Sequence, residues 1–451
     1  MTAPLELWGG HECTVNRIGD RWRDQTVLSG HQDRITDLEA FADLGLKALR
    51  YPILWERVET EPGVFDWSWA DARMARLRDL GLRPVIGLLH HGSGPRWTDL
   101  LDPDFAQGLG EFAGQAADRY PWVTDWTPVN EPLTTARFSA LYGHWHPHGR
   151  DEGMFWAALL NQIEGTRAAM RAIRRTVPDA RLVQTEDFGW TWSTAACADQ
   201  AAYENDRRLM TWDLLCGRVV DGHPLRGDLD RRGHAQRLDH LAADPCPPGL
   251  VGLNHYVTSD RFLDERLDRY PARAHGGNGR IAYADVEAVR VLHRQSCSWE
   301  RCLGLLWDRY RIPLAVTECH LGSSPEQQRR WLDRAWAAAL SARDHGVAVE
   351  AVTVWALLGS YDWDTLLTGD NGRYEPGAFD LSAGDGPQPT ALAAALQGLA
   401  RHGAMPGPEP GPGWWDHDAR LEYPPCHPAA SAAPPRFDPA TRFMSLSHLE
   451  G

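Results

Sequence analysis

The feature that most constrains the fold is a repeated alternation of short β-prone runs with longer amphipathic stretches along most of the chain. We count eight such cycles, and alternation of this kind is typical of a parallel sheet covered by helices. The predicted strands are Leu5–Gly10, Ala48–Tyr51, Pro84–Leu89, Val123–Val129, Arg181–Thr185, Leu250–Tyr256, Pro313–Thr317 and Ala351–Trp355. Eight βα units predict a closed α/β barrel, the (β/α)8 or TIM barrel.

Two helical patterns between the strands are clear, Arg34–Leu44 and Gln327–His345, because their apolar residues recur along one face. From residue 403 the composition becomes rich in Pro, Gly and Ala, and such a stretch buries too little apolar surface to order itself alone. We therefore predict a barrel over residues 1–402 and a linker or extended tail over 403–451. The tail either once led to another domain or is tethered to the barrel surface by its apolar residues, Trp414, Trp415, Leu421, Tyr423 and Phe437.

Charge and composition exclude several classes of partner. The formal net charge of -15 argues against nucleic acid and anionic membrane surfaces, because binding phosphate needs a basic face. No basic segment followed by an apolar one opens the chain, and no apolar run reaches membrane-spanning length, so we expect a cytoplasmic protein. The eight cysteines lack metal-type spacing and are expected to be mostly free thiols in a reducing compartment. The 21 tryptophans suit both core packing and stacking on sugars.

Polar and aromatic groups stand at the carboxyl end of each predicted strand. Active sites of α/β barrels lie at this end, where side chains from different strands converge. These predicted strand ends therefore indicate one functional site, formed by His11-Glu12, Arg50-Tyr51, His90-His91, Asn130-Glu131, Glu186-Asp187, Asn254–Tyr256, Glu318 and Trp355.

Two of these residues, Glu131 and Glu318, end the fourth and seventh strands. Cleavage of a glycosidic bond with retention of configuration uses two carboxyl groups about 5–5.5 Å apart, one as acid and one as nucleophile. Each glutamate taken alone could equally cap a helix or form an ion pair. Together, facing each other across the barrel mouth, they predict a retaining glycosidase.

Several segments carry a family resemblance. Thr127-Pro128-Val129-Asn130-Glu131-Pro132 resembles the Thr-x-Asn-Glu-Pro acid/base motif of family 1 glycoside hydrolases, the β-glucosidase family. Leu314–Cys319 resembles the family's Ile-Thr-Glu-Asn-Gly nucleophile motif, although Cys319-His320 replaces Asn-Gly. The resemblance covers about residues 5 to 400 and includes Arg50–Val58, His90–Trp97, Tyr142–Gly149 and Val354–Trp363.

The resemblance implies a role for each matching residue. Glu318 would attack the anomeric carbon, and Glu131, with a raised pKa, would protonate the leaving oxygen and later activate water. Arg50 and Tyr256 would support ionised Glu318, and Asn130 would bind the sugar 2-hydroxyl. The residues implied to bind the sugar are His91, Asn16, Trp355, Asp362 and Trp363. The resemblance implies a small-molecule glycoside as substrate, with no cofactor and no metal.

Departures from the family pattern fall on residues that would select the sugar. Asn16 takes the place of a family Gln at the end of the first strand, with Glu12 as a competing candidate, and Asp362 takes the place of a Glu. Glu12 or Glu186-Asp187 could favour an amino-bearing substrate, although Glu186-Asp187 could equally be capping or ion-pair residues.

Two tempting motifs are set aside. The histidines His144, His146 and His148 alternate along one segment. This segment also contains Pro147 and matches a family loop, which disfavours a metal site. Cys319 and His320 are adjacent on an extended segment, so their side chains point to opposite sides and do not form a nucleophile and base.

The sequence therefore predicts a retaining exo-β-glycosidase that works by double displacement. Two alternatives stay open at this point: a transglycosylating or biosynthetic enzyme that uses the same glycosyl-enzyme, and a catalytically silent carbohydrate-binding barrel. The opposed carboxyl pair disfavours the silent barrel, since binding alone does not need it.

Overall fold

The computed structural model describes residues 3–293, 298–405 and 411–432. Eight parallel strands close into a barrel in chain order, with the last strand beside the first. The strands are β1 (Glu6–Gly10), β2 (Ala48–Pro52), β3 (Arg83–Gly87), β4 (Asp125–Thr127), β5 (Arg181–Asp187), β6 (Leu250–Asn254), β7 (Leu314–Cys319) and β8 (Val349–Val354). The predicted (β/α)8 barrel is confirmed, and all eight strands overlap their predicted segments, although most of their ends are shifted by one or two residues.

The barrel interior is filled by side chains rather than by an open channel. Strand residues are buried on both faces, which explains why the segments read as nearly continuous apolar runs. One buried cluster draws a residue from nearly every strand, as expected for the packed layers inside such barrels. Its members are Trp8, Ala48, Val85, Val183, Leu250, Ala315 and Ala351.

Helices alternate with the strands and cover the outside of the barrel. The two predicted helices are present with shifted ends, Asp37–Asp43 and Pro325–Asp344. The second helix starts early because Ser324 accepts a hydrogen bond from the Gln327 backbone N–H and Pro325 suits the first helical position. The other α-helices are Gln25–Leu28, Trp55–Val58, Ser68–Asp79, Phe105–Arg119, Pro132–Ala136, Glu152–Thr176, Ala198–Arg208, Met210–Leu215, Arg226–Arg231, Ala235–Ala243, Trp299–Tyr310 and Ala391–His402, and a π-turn spans Arg137–Leu141.

Short strands in the connecting loops form five small sheets outside the barrel. One four-stranded sheet comes from the loops that follow β5 and β6, and joins Thr191–Ser193, Arg261–Asp264, Ala282–Glu287 and His275–Gly277. Four hairpins pair Val15–Ile18 with Arg21–Asp24, Glu59–Glu61 with Val64–Phe65, Ser360–Tyr361 with Tyr374–Glu375, and Phe379–Asp380 with Gln388–Pro389. Single 3-10 turns lie at Ala195–Cys197, Leu267–Arg269, Ala272–Ala274, Ala288–Arg290, Trp363–Thr365, Trp414–Asp416, Asp418–Arg420 and Ala430–Ala432.

The described part of the C-terminal segment, residues 411–432, packs against the barrel. Trp415 is 1% exposed, and its ring centroid lies 5.0 Å from that of Trp331. The Tyr423 ring lies 5.0 Å from that of Tyr270. Phe437 lies outside the described residues, and the domain boundary at residue 403 stays a prediction.

The sequence also predicted no membrane-spanning segment and mostly free cysteines. Within the described residues, no helix combines the length and apolarity needed to cross a membrane. The described cysteines are free thiols, and most are buried: Cys13, Cys197, Cys216, Cys246, Cys302, Cys319 and Cys426. Cys297 lies outside the described residues.

Candidate active site

A cavity of about 280 Å³ opens at the carboxyl ends of the barrel strands. It lies where the predicted strand ends converge, and side chains from the loops after several strands contribute to its wall. The wall includes Glu12, His90, His91, Glu131, Asp187, Tyr256, Glu318, His320, Trp355, Trp363, Asp364 and Glu375.

Local backbone geometry directs Glu131 into this cavity. The residue has φ 45° and ψ 60°, a left-handed conformation at the junction between β4 and the helix that begins at Pro132. Its carboxyl group is almost fully buried. Asn254 Nδ2 donates to Glu131 Oε1 over 2.6 Å, and His91 Nε2 lies 3.7 Å from Oε2.

Glu318, on β7, has a different set of partners. Arg50 Nη1 donates to its Oε1 over 2.7 Å, and the Tyr256 hydroxyl donates to its Oε2. Both donors favour the ionised carboxylate. Glu318 is 2% exposed, so bulk water contributes little to stabilising its charge.

These surroundings separate the acidities of the two carboxyl groups. Burial raises the pKa of Glu131 well above its ordinary value, and the neighbouring charge of Glu318 raises it further. Burial also raises the pKa of Glu318, but there the Arg50 charge and the Tyr256 hydrogen bond oppose the shift. The arrangement keeps a proton on Glu131 in preference to Glu318.

Asn130 is held in one orientation by two donors. Its Oδ1 accepts hydrogen bonds from Arg50 Nη2 and Thr185 Oγ1, each over 2.7 Å. Its amide nitrogen therefore points to the histidines, 3.3 Å from His90 Nε2 and 3.4 Å from His91 Nε2. Burial lowers the pKa of His91 to about 3, so this imidazole is neutral near pH 7.

Aromatic rings form much of the remaining wall. The Trp355 ring stacks on His90 with centroids 5.3 Å apart, and the Arg50 guanidinium lies 4.8 Å from the Trp355 centroid. The Trp363 ring packs edge-on against His91 at 5.6 Å. Flat apolar surfaces beside carboxyl groups suit a sugar ring, which has apolar C–H faces and polar edges.

Asp362, expected in the sugar pocket, does not line the cavity. It has φ 57°, and its buried carboxylate accepts hydrogen bonds from Arg23 Nη2 over 2.5 Å and from the Arg373 backbone N–H over 2.8 Å. The backbone N–H groups of Asn371 and Gly372 also donate to it. These donors hold Asp362 inside its own loop and away from the cavity.

Asn16 is likewise absent from the cavity wall, and Glu12 is present there. Asn16 is buried within the hairpin that follows β1. Glu12 accepts a hydrogen bond from Trp355 Nε1 over 3.2 Å, which ties the ends of β1 and β8 together. Of the two candidates at the end of the first strand, Glu12 is the one that reaches the cavity.

Glu186 and Asp187 have separate positions. Glu186 is fully buried and accepts hydrogen bonds from the backbone N–H groups of Leu133 and Thr134 and from Thr211 Oγ1. It therefore caps the helix that follows Glu131. Asp187, the next residue, lines the cavity.

The cavity wall also contains polar residues that the sequence did not predict, among them His320, Asp364 and Glu375. His320 stands two positions after Glu318 on an extended segment, and residues two apart share one face, so a signal for it existed. Cys319, between them, is buried in the hydrophobic core. Glu375 belongs to the hairpin after β8 and had no local signal.

The alternating histidines make other contacts. His146 Nε2 lies 3.7 Å from Asp99, and the Gly19 backbone N–H donates to His148 Nε2. Among the residues that the structure describes, no group of three or more His, Cys, Asp or Glu is arranged to hold a metal ion.

The chain is similar in sequence to several known proteins. The chain matches no protein-family model. It is 22% identical over 393 residues to 6-phospho-β-glucosidase of Dickeya chrysanthemi, covering 78% of this chain and 80% of that protein. It is 20% identical over 398 residues to β-glucosidase A of Thermotoga maritima, covering 80% and 84%. Klebsiella oxytoca phospho-cellobiase is 21% identical over 353 residues, covering 71% and 72%.

Solved structures give the same picture of the fold. The family 1 β-glucosidase of Thermotoga maritima superposes with a TM-score of 0.70 at 16% identity, covering 90% of this chain and all of that one. Its complex with azafagomine superposes with a TM-score of 0.68, covering 84% and 88%. The chain is therefore similar in sequence to β-glucosidases and phospho-β-glucosidases, and similar in fold to a family 1 β-glucosidase. These similarities confirm the resemblance that the sequence motifs indicated.

Proposed function

We propose that this chain is a retaining exo-β-glycosidase, which hydrolyses a β-linked glycoside by double displacement. One observation carries the proposal: Glu131 and Glu318 line the same cavity, and only Glu318 is held by Arg50 and Tyr256. The similarity to β-glucosidases supports it.

In the first half of the proposed reaction, a Glu318 carboxylate oxygen attacks the anomeric carbon. The bond from that carbon to the glycosidic oxygen breaks, its electron pair stays on the oxygen, and the proton of Glu131 moves to that oxygen. The products are a free alcohol and a glycosyl ester of Glu318. The raised pKa of Glu131 favours the protonated form that this step needs.

In the second half, water replaces the departed alcohol. Glu131, now ionised, takes a proton from water as the water oxygen attacks the anomeric carbon, and the ester bond breaks to return Glu318 as a carboxylate. Arg50 and Tyr256 stabilise Glu318 as a leaving group. Configuration is retained because the carbon is inverted twice.

The size of the cavity favours action at a chain end. Its volume of about 280 Å³ is close to the lower end of the range for small-molecule sites, which begins at about 300 Å³. A site of this size suits one sugar ring with part of its leaving group.

A variant of the proposed nucleophile tests this function. A panel of aryl glycosides that differ in sugar and anomer identifies a cleaved substrate, and Glu318→Ala is then assayed on it. We expect turnover to fall by about 10⁴-fold or more, the scale seen when a covalent nucleophile is removed. Azide should rescue the variant and give a glycosyl azide of inverted configuration, since azide can attack from the emptied side.

A matched control is Glu326→Ala, because Glu326 is an exposed glutamate on an outer helix. Its turnover should equal that of the unmodified chain. Full turnover by Glu318→Ala would show that the nucleophile is assigned wrongly. Binding of sugars without cleavage of any glycoside in the panel would favour the silent carbohydrate-binding barrel, and transfer to added alcohols in place of water would favour a transglycosylase.

A further inference from the structure

The candidate cavity contains more carboxyl groups than the proposed reaction uses. Besides Glu131 and Glu318, four acidic side chains belong to its wall, and no Lys or Arg does among the described residues. The four are Glu12, Asp187, Asp364 and Glu375. These four side chains differ in whether the protein supplies a partner for their charge.

Two of the four pair with a nearby basic side chain. Asp364 accepts a hydrogen bond from Arg373 Nη1 over 2.9 Å. Glu375 Oε2 lies 3.4 Å from His320 Nε2. These contacts give both carboxyl groups a partner within the protein.

Asp187 is also compensated from within. It accepts a hydrogen bond from the Ser259 hydroxyl. The guanidinium groups of Arg137 and Arg208 are close enough for their charges to interact with that of Asp187.

Glu12 differs from these three. It is 3% exposed, and it makes no salt bridge within the described parts of the chain. Its Oε1 accepts from the Thr14 backbone N–H over 2.9 Å and its Oε2 from Trp355 Nε1 over 3.2 Å, and both donors are neutral. Arg50, which lies in the same region, directs its two terminal nitrogens to Glu318, Asn130 and the Thr317 carbonyl.

A second carboxyl group lies near Glu12. Glu318 is close enough to interact electrostatically with Glu12. A carboxylate has about four acceptor sites, so two neutral donors leave acceptor capacity at the cavity wall. A buried anion without a cationic partner is costly, and a cation supplied by a ligand removes that cost.

We infer that Glu12 binds a protonated amino group on the sugar of the substrate, so the substrate class is the β-glycosides of amino sugars. This inference rests on the proposed function and names the sugar that the same site selects. The inference follows from the chemistry of the Glu12 side chain, which faces the cavity. A neutral carboxamide at this position would suffice to bind a sugar hydroxyl, whereas a carboxyl group can also supply the negative charge that a protonated amine needs.

The same charges disfavour a phosphorylated sugar. A phosphate monoester carries a charge of about -1.5 to -2 near pH 7 and is usually bound by Arg or Lys. None of those side chains lines this cavity within the described residues. Two relatives are named as phospho-cellobiase and 6-phospho-β-glucosidase, so the chain would differ from them in this respect.

The test compares matched aryl β-glycosides. The series contains a neutral sugar, its analogues with an exocyclic amine at each position in turn, and its 6-phosphate. We expect one amino analogue to exceed the neutral sugar in kcat/KM by about tenfold or more, the value of a charge-assisted hydrogen bond. The preference should decline as pH rises through the pKa of the sugar amine, and the 6-phosphate should not be cleaved.

Two variants locate the effect. Glu12→Gln keeps the shape of the side chain and removes its charge, so the ratio of kcat/KM for the amino sugar to kcat/KM for the neutral sugar should fall to about one, whatever the change in the absolute rates. Asp364→Asn removes a charge of the same sign from the same wall, but that charge is already paired with Arg373. The amino-sugar preference should therefore persist in Asp364→Asn.

The outcomes separate this inference from the proposed function. Cleavage of the neutral sugar with no preference for any amino analogue overturns the inference and leaves the function standing. Cleavage of no glycoside at all counts against the function. In that case calorimetry with the free amino sugar and its neutral parent still decides the inference, because equal affinities for the unmodified chain would overturn it.

Discussion

Glu131 and Glu318 carry the same carboxyl group in one cavity, and their neighbours differ. Arg50 and Tyr256 donate to Glu318, whereas Glu131 receives one amide donor from Asn254. At the scale of single residues, the donors around each group therefore decide which carboxyl group keeps its proton and can act as the general acid. Sequence motifs drew attention to these residues, but the donors on each oxygen come from distant segments.

Tyr256→Phe tests the part played by one such donor. The hydroxyl of Tyr256 lowers the pKa of Glu318, so its removal should raise that pKa. Glu318 would then be a poorer leaving group in the second step of the reaction. We expect kcat/KM to fall by about tenfold or more. The acidic limb of the kcat/KM profile should move to higher pH, because Glu318 must lose its proton to react.

Tyr310→Phe is the control, since Tyr310 is another buried tyrosine, and its hydroxyl lies within hydrogen-bond distance of Asp213 and the Leu209 carbonyl, neither of which lines the cavity. It should reduce stability and leave the pH profile in place. An unchanged acidic limb in Tyr256→Phe would show that this hydroxyl does not tune Glu318.

At the scale of elements, the short helix after β4 positions Glu131. Glu186 on β5 accepts hydrogen bonds from the backbone N–H groups of Leu133 and Thr134, which are free because they lie in the first turn. The sequence left Glu186 open between a capping residue and a substrate contact. Pairing of β4 with β5 decided for the cap, since it brings Glu186 to the start of this helix.

The cap has a consequence for the pH dependence of stability. Burial raises the pKa of Glu186 from 4.5 to about 7. The native state thus holds a proton that the unfolded state loses, so the contribution of Glu186 to the free energy of unfolding is fully present below pH 4.5 and is lost as pH rises through about 7. Glu186→Gln should flatten this part of the dependence, as measured by chemical denaturation at several pH values.

Glu326→Gln is the matched control, because Glu326 also stands in a first helical turn but its side chain is 70% exposed. Its pH dependence should follow that of the unmodified chain. If Glu186→Gln did the same, Glu186 would not titrate in this range.

At the scale of the whole molecule, residues 411–432 complete the outer surface of the barrel. Trp415 packs against Trp331, and the Arg420 guanidinium donates to the carbonyls of Trp415, Leu292 and His293. The composition of this region predicted a linker or tail. A few apolar and charged residues are enough to hold it, because the barrel supplies the buried surface that the segment lacks.

Trp415→Ala tests this contribution. Removing a fully buried tryptophan leaves a cavity, and we expect the free energy of unfolding to fall by about 3–5 kcal/mol. Trp414→Ala is the adjacent control: its ring is half-buried beneath the Arg290 guanidinium at 4.4 Å, so the loss should be about 1 kcal/mol. Equal losses in the two variants, measured by denaturation, would contradict the packing described for Trp415.

The sequence by itself determined the barrel and the two opposed glutamates. Apolar periodicity reports burial, and barrel strands are buried on both faces, so the eight strands could be recognised without a structure. Glu131 and Glu318 stand at strand ends, and the closure of a parallel barrel brings such ends together wherever they lie in the chain.

Only the tertiary structure decided which loop residues reach the cavity. Asp362 matched a sugar-binding segment, yet its left-handed backbone and the N–H groups of residues 371–373 turn it away. Glu12 rather than Asn16 faces the cavity, and Glu375 arrives from a hairpin. Loop side chains follow single dihedral angles and contacts between distant segments, which have no periodic signature in the sequence.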